Sequence, residues 1–253
     1  MALVGIVLIC CGGICVLVGW PYRAAVLSGI GGSLAAAAVV SGLSPLNDES
    51  FHEFRELGIK RSFFNRAKIE DDQWCKWLRG ARQHCTLLGI AHGKWCEAEW
   101  FPDALQDSLR RGVKVTFLFL DPDCPSAHQR AREDTRANRN TINAIQDSIR
   151  FVWGLRQAVP EDHRGNLRLF VYDSTPSSGT SWIDNFMIVT HYLAGFANVT
   201  SPALWVEPVR TEPDTRNLYD IYMENLKKVQ ERFATEVDEA WIAEHLPPEV
   251  ANA

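Results

Sequence analysis

The chain has 253 residues, 46% of them hydrophobic and 23% charged, which is ordinary for one globular domain of about 200 residues with an appendage. Its formal net charge of −5 excludes a global nucleic-acid-binding signature, although a local basic face is still allowed. Seven cysteines include no CxxC pair and no Cys/His cluster at zinc-ligand spacing, so they read as reduced thiols in a cytoplasmic setting, with no metal or other cofactor expected.

Ala2 to Trp20 and Ala24 to Leu43 are two uncharged apolar stretches separated only by Pro21-Tyr22-Arg23. At 1.5 Å per residue each is long enough to cross about 30 Å of hydrocarbon. The expectation is a transmembrane helical hairpin over 1–43. A cleaved signal peptide is the competing reading, but no Lys or Arg precedes Leu3 and the apolar stretch resumes after Arg23. Lys60, Arg61, Arg66 and Lys68, against Arg23 alone in the turn, orient the rest of the chain towards the cytoplasm at an inner membrane. In the second span Ser28, Gly32 and Ala36 form one small-residue stripe and Gly29, Ser33 and Ala37 another. Such stripes let helices approach closely in lipid. They suit either packing within the hairpin, as an anchor, or a homo-oligomer around a pore.

Residues 44–83 read as a juxtamembrane helical linker. Phe51, Phe54 and Leu57 share one helical face there, and Trp74, Trp77 and Leu78 share another, the tryptophans suiting a core. Cys85 to Pro122 reads as strand, helix, strand: CTLLGIAHG, then EAEWFPDALQDSLRRG with Leu105 and Leu109 on one side, then VKVTFLFLDP. Strands this apolar belong in a covered sheet, so the fold class is α/β, with a mixed, mostly parallel sheet covered by helices. Arg110-Arg111-Gly112-Val113 should end the helix, with Gly112 free to take positive φ.

A turn-rich loop begins at Asp121, at a strand end where α/β proteins place ligand contacts. The helical stretch beyond it carries Ile142, Ile145, Ile149 and Val152 at helical spacing. Its arginines, Arg130, Arg132, Arg136 and Arg139, form either a solvated face or an anion-binding one. Leu167 to Tyr172 is the next strand, SWIDNFMIVTHYL follows a Ser-rich turn, and ALWVEP is a last short strand. Leu218, Tyr222, Leu226, Val229, Phe233 and Trp241 stripe a C-terminal amphipathic helix over 209–253, which either closes the domain or pairs with a neighbour.

Over residues 84–208, a helix ending in RRGV, a strand ending in LDP, a helical insert and strands carrying an Asp and an Asn resemble one half of a phospholipase D superfamily domain. That family's motif is HxKxxxxD followed by a GSxN-like segment. Here Asp184 looks like the Asp, and Gly195 to Ser201 looks like the second segment, with Phe196 where Ser is expected and Asn198 and Thr200 beyond it. Counted back from Asp184, the motif's His and Lys fall on Ser177 and Gly179, which can neither attack phosphorus nor steady its oxygens. The resemblance therefore implies a catalytically dead domain that keeps a cleft. His92, Lys94, Asp121, Asp184, His191, Asn198 and Thr200 are the candidate ligand contacts.

His92-Gly93-Lys94 with Glu99 also reads as HxKxxxxE, so a membrane-bound phosphodiesterase using His92, Lys94 or His191 is the alternative. No GxxxxGK[ST], GxGxxG after a strand, HExxH or GxSxG is present. Two spans joined to a sensing domain resemble in plan the membrane effectors of antiviral nucleotide signalling. The expected partners are the membrane, further copies of the chain, a nucleotide or oligonucleotide, and a partner protein encoded nearby.

Overall fold

A computed structural model describes residues 54–133, 140–193, 198–209 and 216–246. The chain divides into two compact units, residues 1–55 and 56–253, and every element below belongs to the second. The expected hairpin over 1–43 and its stripes at Ser28, Gly29, Gly32, Ser33, Ala36 and Ala37 lie outside the described residues. Among the described residues no helix is long and apolar enough to cross a membrane.

The described strands form one eight-stranded sheet. They are β1 (Ile59–Phe63), β2 (His84–Leu88), β3 (Lys114–Leu120), β4 (Leu167–Tyr172), β5 (Ser178–Ile183), β6 (Phe186–His191), β7 (Ala203–Val206) and β8 (Ala234–Glu236). Their order across the sheet is β1-β7-β6-β5-β2-β3-β4-β8. Only β2–β3 and β3–β4 pair in parallel, and the other five pairings are antiparallel. The sheet is therefore mixed as expected but not mostly parallel. The reason is a tight turn at Asp184-Asn185 that folds SWIDNFMIVTHYL into the β5–β6 hairpin, with Ile183 opposite Phe186. Asp184 takes a φ of 46°, a left-handed conformation that Asp tolerates better than most residues.

The helices are α1 (Asp71–Gly80), α2 (Gly93–Cys96), α3 (Phe101–Arg110), α4 (Pro125–Glu133), α5 (Thr141–Ala158), α6 (Glu161–Arg164), α7 (Leu218–Arg232) and α8 (Glu239–His245). Helix α3 ends as its sequence dictates. Gly112 sits at φ 84°, its N–H donates to the Leu109 carbonyl at 2.9 Å, and the Val113 N–H donates to the Ser108 carbonyl at 3.1 Å. This double return is a Schellman motif, and it delivers the chain directly into β3. Leu105, Leu109, Ile145, Ile149 and Val152 are all buried in the main core against β2, β3 and β4. Each large apolar side chain fully buried there is worth about 1.5–3 kcal/mol. Trp74 and Trp95 lie edge to face in that core, 5.2 Å apart, and Trp77 packs on Trp205.

Successive strand residues point to opposite faces, so on β6 Ile188 joins the main core while Met187 and Val189 form a second cluster. Helix α7 covers this second face with Leu218, Tyr219, Tyr222 and Met223.

Two stretches differ from the sequence reading. Residues 59–63, expected in a helical linker, form β1, which pairs antiparallel with β7. Four of its five residues are at least partly exposed, so the stretch has no apolar run to announce a strand. The expected single C-terminal helix breaks after Arg232 into β8, which pairs with β4, and then α8, whose first turn is capped by Asp238 at 2.8 Å.

Candidate functional site

The sheet has two ends, and the site residues expected from the sequence are divided between them. At the N-terminal end of β2, the Asp184 carboxylate accepts backbone N–H groups from Arg82 (2.9 Å), Gln83 (2.9 Å) and His84 (3.1 Å). Burial works against its charge, but these three donors outweigh burial and hold the carboxyl below its ordinary range. Asp184 thus serves the β2–β5 junction and is not among the residues gathered at the opposite end.

At the C-terminal end of β2 and β3, His92 occupies a left-handed turn with φ 50°. Its Nε2–H donates to the Leu118 carbonyl at 3.0 Å, which fixes the tautomer, and its ring meets the edges of Phe117 and Phe119. Burial pushes its pKa down to about 4, the Leu118 bond opposing and the Arg66 charge assisting. Gly89 makes this placement feasible. A Cβ there would stand 2.8 Å from the His92 ring and 3.2 Å from the Tyr192 hydroxyl. Lys94, two residues on, is paired with the Asp71 carboxylate.

His191 ends β6, exposed, with Nε2 2.9 Å from the Tyr222 hydroxyl. Asp121 accepts the Asp123 N–H at 2.9 Å, and burial raises its pKa. Asn198 and Thr200 lie in a 3-10 turn, whose neighbour Ser201 accepts the Arg66 N–H at 2.9 Å.

Past the C-terminal ends of β2 and β4 lies a cavity of about 220 Å³ bounded by Leu88, Tyr172, the loop Ser174 to Ser178, and Asn225, Lys228, Val229 and Phe233; none of the site residues expected from the sequence lines it. The Tyr172 hydroxyl and Ser178 Oγ are buried without a partner, and so is Thr180 Oγ1 one turn of the pleat further along β5. Lys228 is held by Glu224 at 2.6 Å. Ser177 lines this cavity, and its carbonyl accepts the Tyr192 N–H at 3.0 Å. The two positions where catalytic His and Lys were sought, Ser177 and Gly179, therefore lie on β5 or beside it at the open end.

Sequence reasoning missed Tyr172, Asn225, Tyr192 and Arg66 as site residues. Tyr192's hydroxyl accepts the Ile90 N–H at 3.2 Å, across 102 residues of chain, and Arg130 stands 5.6 Å over its ring. No local spacing encodes such meetings. The one available signal was the strand-end position of Tyr172, where side chains reach a cleft.

No family model and no curated protein matches the chain. Among solved structures it is similar to Nuc, a phospholipase D family member from Salmonella typhimurium, at 14% identity and TM-score 0.34 over 64% of this chain and 87% of that one. NucT from Helicobacter pylori is similar at 11% identity and TM-score 0.37, over 68% and 96%. TrmBL2, an archaeal chromatin protein, is similar at 14% identity and TM-score 0.40, over 86% and 71%. What those proteins bind or cleave is theirs alone.

Proposed function

We propose that this unit is a ligand-binding domain without hydrolytic activity. It takes an anionic ligand, a nucleotide or oligonucleotide unit, in the cleft at the C-terminal end of the sheet. Tethered through residues 1–43, it acts as a membrane effector whose ligand state controls an oligomeric assembly, a pore in an antiviral response being the sharpest version. One observation carries the binding claim. Two residues that line the cavity, Tyr172 and Ser178, carry buried hydroxyls with no partner, a costly arrangement that a polar ligand seated there would relieve. The volume suits a small polar molecule or one unit of a larger one.

The same residues argue against hydrolytic chemistry. His92 is neutral, part-buried and tied to Leu118, Lys94 is tied to Asp71, and His191 touches Tyr222. His92 has no acid–base partner, and Lys94 and His191 are each engaged by a different group rather than with one another, so no His/Lys pair converges as a covalent phosphoryl mechanism requires.

The test uses the full chain in detergent with mono- and oligonucleotides as probes. Binding should raise the melting temperature, and Tyr172→Phe should weaken it about tenfold while leaving the ligand-free protein as stable or more so, because an unpaired hydroxyl is removed. Phosphodiester hydrolysis abolished by His92→Ala or His191→Ala would overturn this reading in favour of a phosphodiesterase. Conductance in planar bilayers, with and without the bound nucleotide, separates a pore from an anchor.

A further inference from the structure

Beside the cavity lies a second group of residues, reached through shared walls: Gly89 follows the cavity residue Leu88, and Tyr192 is bonded to the cavity residue Ser177. Arg66 stands just past β1, its guanidinium 5.2 Å over the Trp74 ring. Among the described residues no carboxylate is paired with it, whereas Arg110, Arg130, Arg150, Arg168 and Arg216 each have one. Its positive charge acts on both Tyr192 and His92, burial lowers its own pKa, and it is a part-buried cation without a counter-ion among the described residues.

On the other side of Tyr192 is Arg130, largely buried at 16% side-chain exposure and 5.6 Å over the same ring. Its partner Glu133 also accepts from Gln129 at 2.9 Å, so that carboxylate keeps a donor if Arg130 turns away. The Tyr192 oxygen already accepts the Ile90 N–H, which leaves its own proton available to donate.

We infer that Arg66, Arg130 and the Tyr192 hydroxyl form a phosphoryl-anion subsite adjoining the cavity, where two guanidinium forks and one O–H converge on a single phosphate group. Guanidinium forks match phosphate oxygens two at a time, and a phosphate would take over from Glu133 as the acceptor for Arg130. Neutral His92 supports this arrangement, since a charged imidazole beside Arg66 would add like-charge repulsion. The inference rests on the reading of the sheet end as a ligand cleft and names the chemistry that fills part of it.

The experiment measures melting temperature and equilibrium binding for the full chain in detergent, with inorganic phosphate, a short oligonucleotide and phosphatidylglycerol nanodiscs as separate probes. Phosphate should stabilise the wild type saturably, and Arg66→Gln or Arg130→Gln should weaken that response about tenfold or more. Arg66→Met in phosphate-free buffer should melt at the same temperature or higher, as expected when a part-buried cation without a carboxylate partner is removed. An undiminished phosphate response in Arg66→Gln, or an Arg66→Met variant that melts several degrees lower, overturns the subsite and makes Arg66 a packing residue. Tyr172→Phe distinguishes the two readings. A phosphate response kept there but lost in Arg66→Gln supports the subsite, whereas one lost in Tyr172→Phe alone overturns the subsite and leaves the cavity reading standing. Oligonucleotide binding without nanodisc binding assigns the phosphate to nucleic acid, and the reverse assigns it to lipid.

Discussion

The two ends of the sheet treat their polar groups differently. At the N-terminal end of β2, one carboxylate closes three backbone N–H groups between β2 and the β5–β6 turn. At the C-terminal end, the hydroxyls of Tyr172 and Ser178 are buried without such partners, and part-buried Arg66 has no carboxylate partner among the described residues. The same hairpin supplies both ends, with Asp184 at its turn and Ser178 and His191 at its open strands. What distinguishes a structural joint from a binding cleft here is the carboxylate that gathers backbone donors at one end, where His84 Nε2 is left buried without a partner, against unpaired hydroxyls beside a cavity at the other.

The largest expected effect is at the open end. His92 titrates near 4 when folded against an ordinary 6.5, so folding favours its neutral form. The stability it contributes is complete above pH 6.5 and is lost as pH falls from 6.5 towards 4, by at most about 3 kcal/mol. Urea unfolding across that window should show the loss in the wild type and less of it in His92→Asn, which tolerates the left-handed turn. An imidazole resonance titrating near 6.5 breaks the claim that this end is desolvated.

At the closed end, Asp184→Ala should cost about 2–3 kcal/mol by denaturant unfolding, since three donors lose a charged acceptor that is only partly buried. The wild-type contribution is present above the ordinary carboxylate pKa and is lost as pH falls through the lowered folded value. A variant as stable as wild type would mean that Asp184 is not what joins β2 to the hairpin.

The smallest effect is a control at that same end. Arg168 pairs with Glu236 at 2.8 Å and 3.1 Å across β4 and β8, but both side chains are about half exposed. Glu236→Gln should cost about 0.5 kcal/mol or less. Equal losses in Glu236→Gln and Asp184→Ala would show that surface charge, not closure of backbone donors, stabilises this end.

The parts legible in the sequence are those whose signal is local. VKVTFLFL forms β3 because its apolar run leaves only Lys114 exposed, and RRGV ends α3 because Gly112 takes the positive φ that the return requires. Edge strands were not legible. IKRSF exposes most of its side chains, and ATE is three residues long, so both depend on a partner strand already in place. The site was half legible. Strand-end position pointed to His92 and Asp121, and the motif resemblance pointed to Asp184, which the fold uses to hold backbone instead. Arg66 was illegible, because its neighbours Tyr192 and Ser201 are more than a hundred residues away in the chain and nothing nearby marks it.

The pairing of β1 with β7 has a kinetic meaning. Ile59 is opposite Val206, so the first strand of the unit cannot dock until nearly all the others have been made. Loops that long close slowly and late. During synthesis, therefore, Arg66 is brought to the sheet only after β7 has been made, and a half-made chain lacks the inferred phosphate subsite.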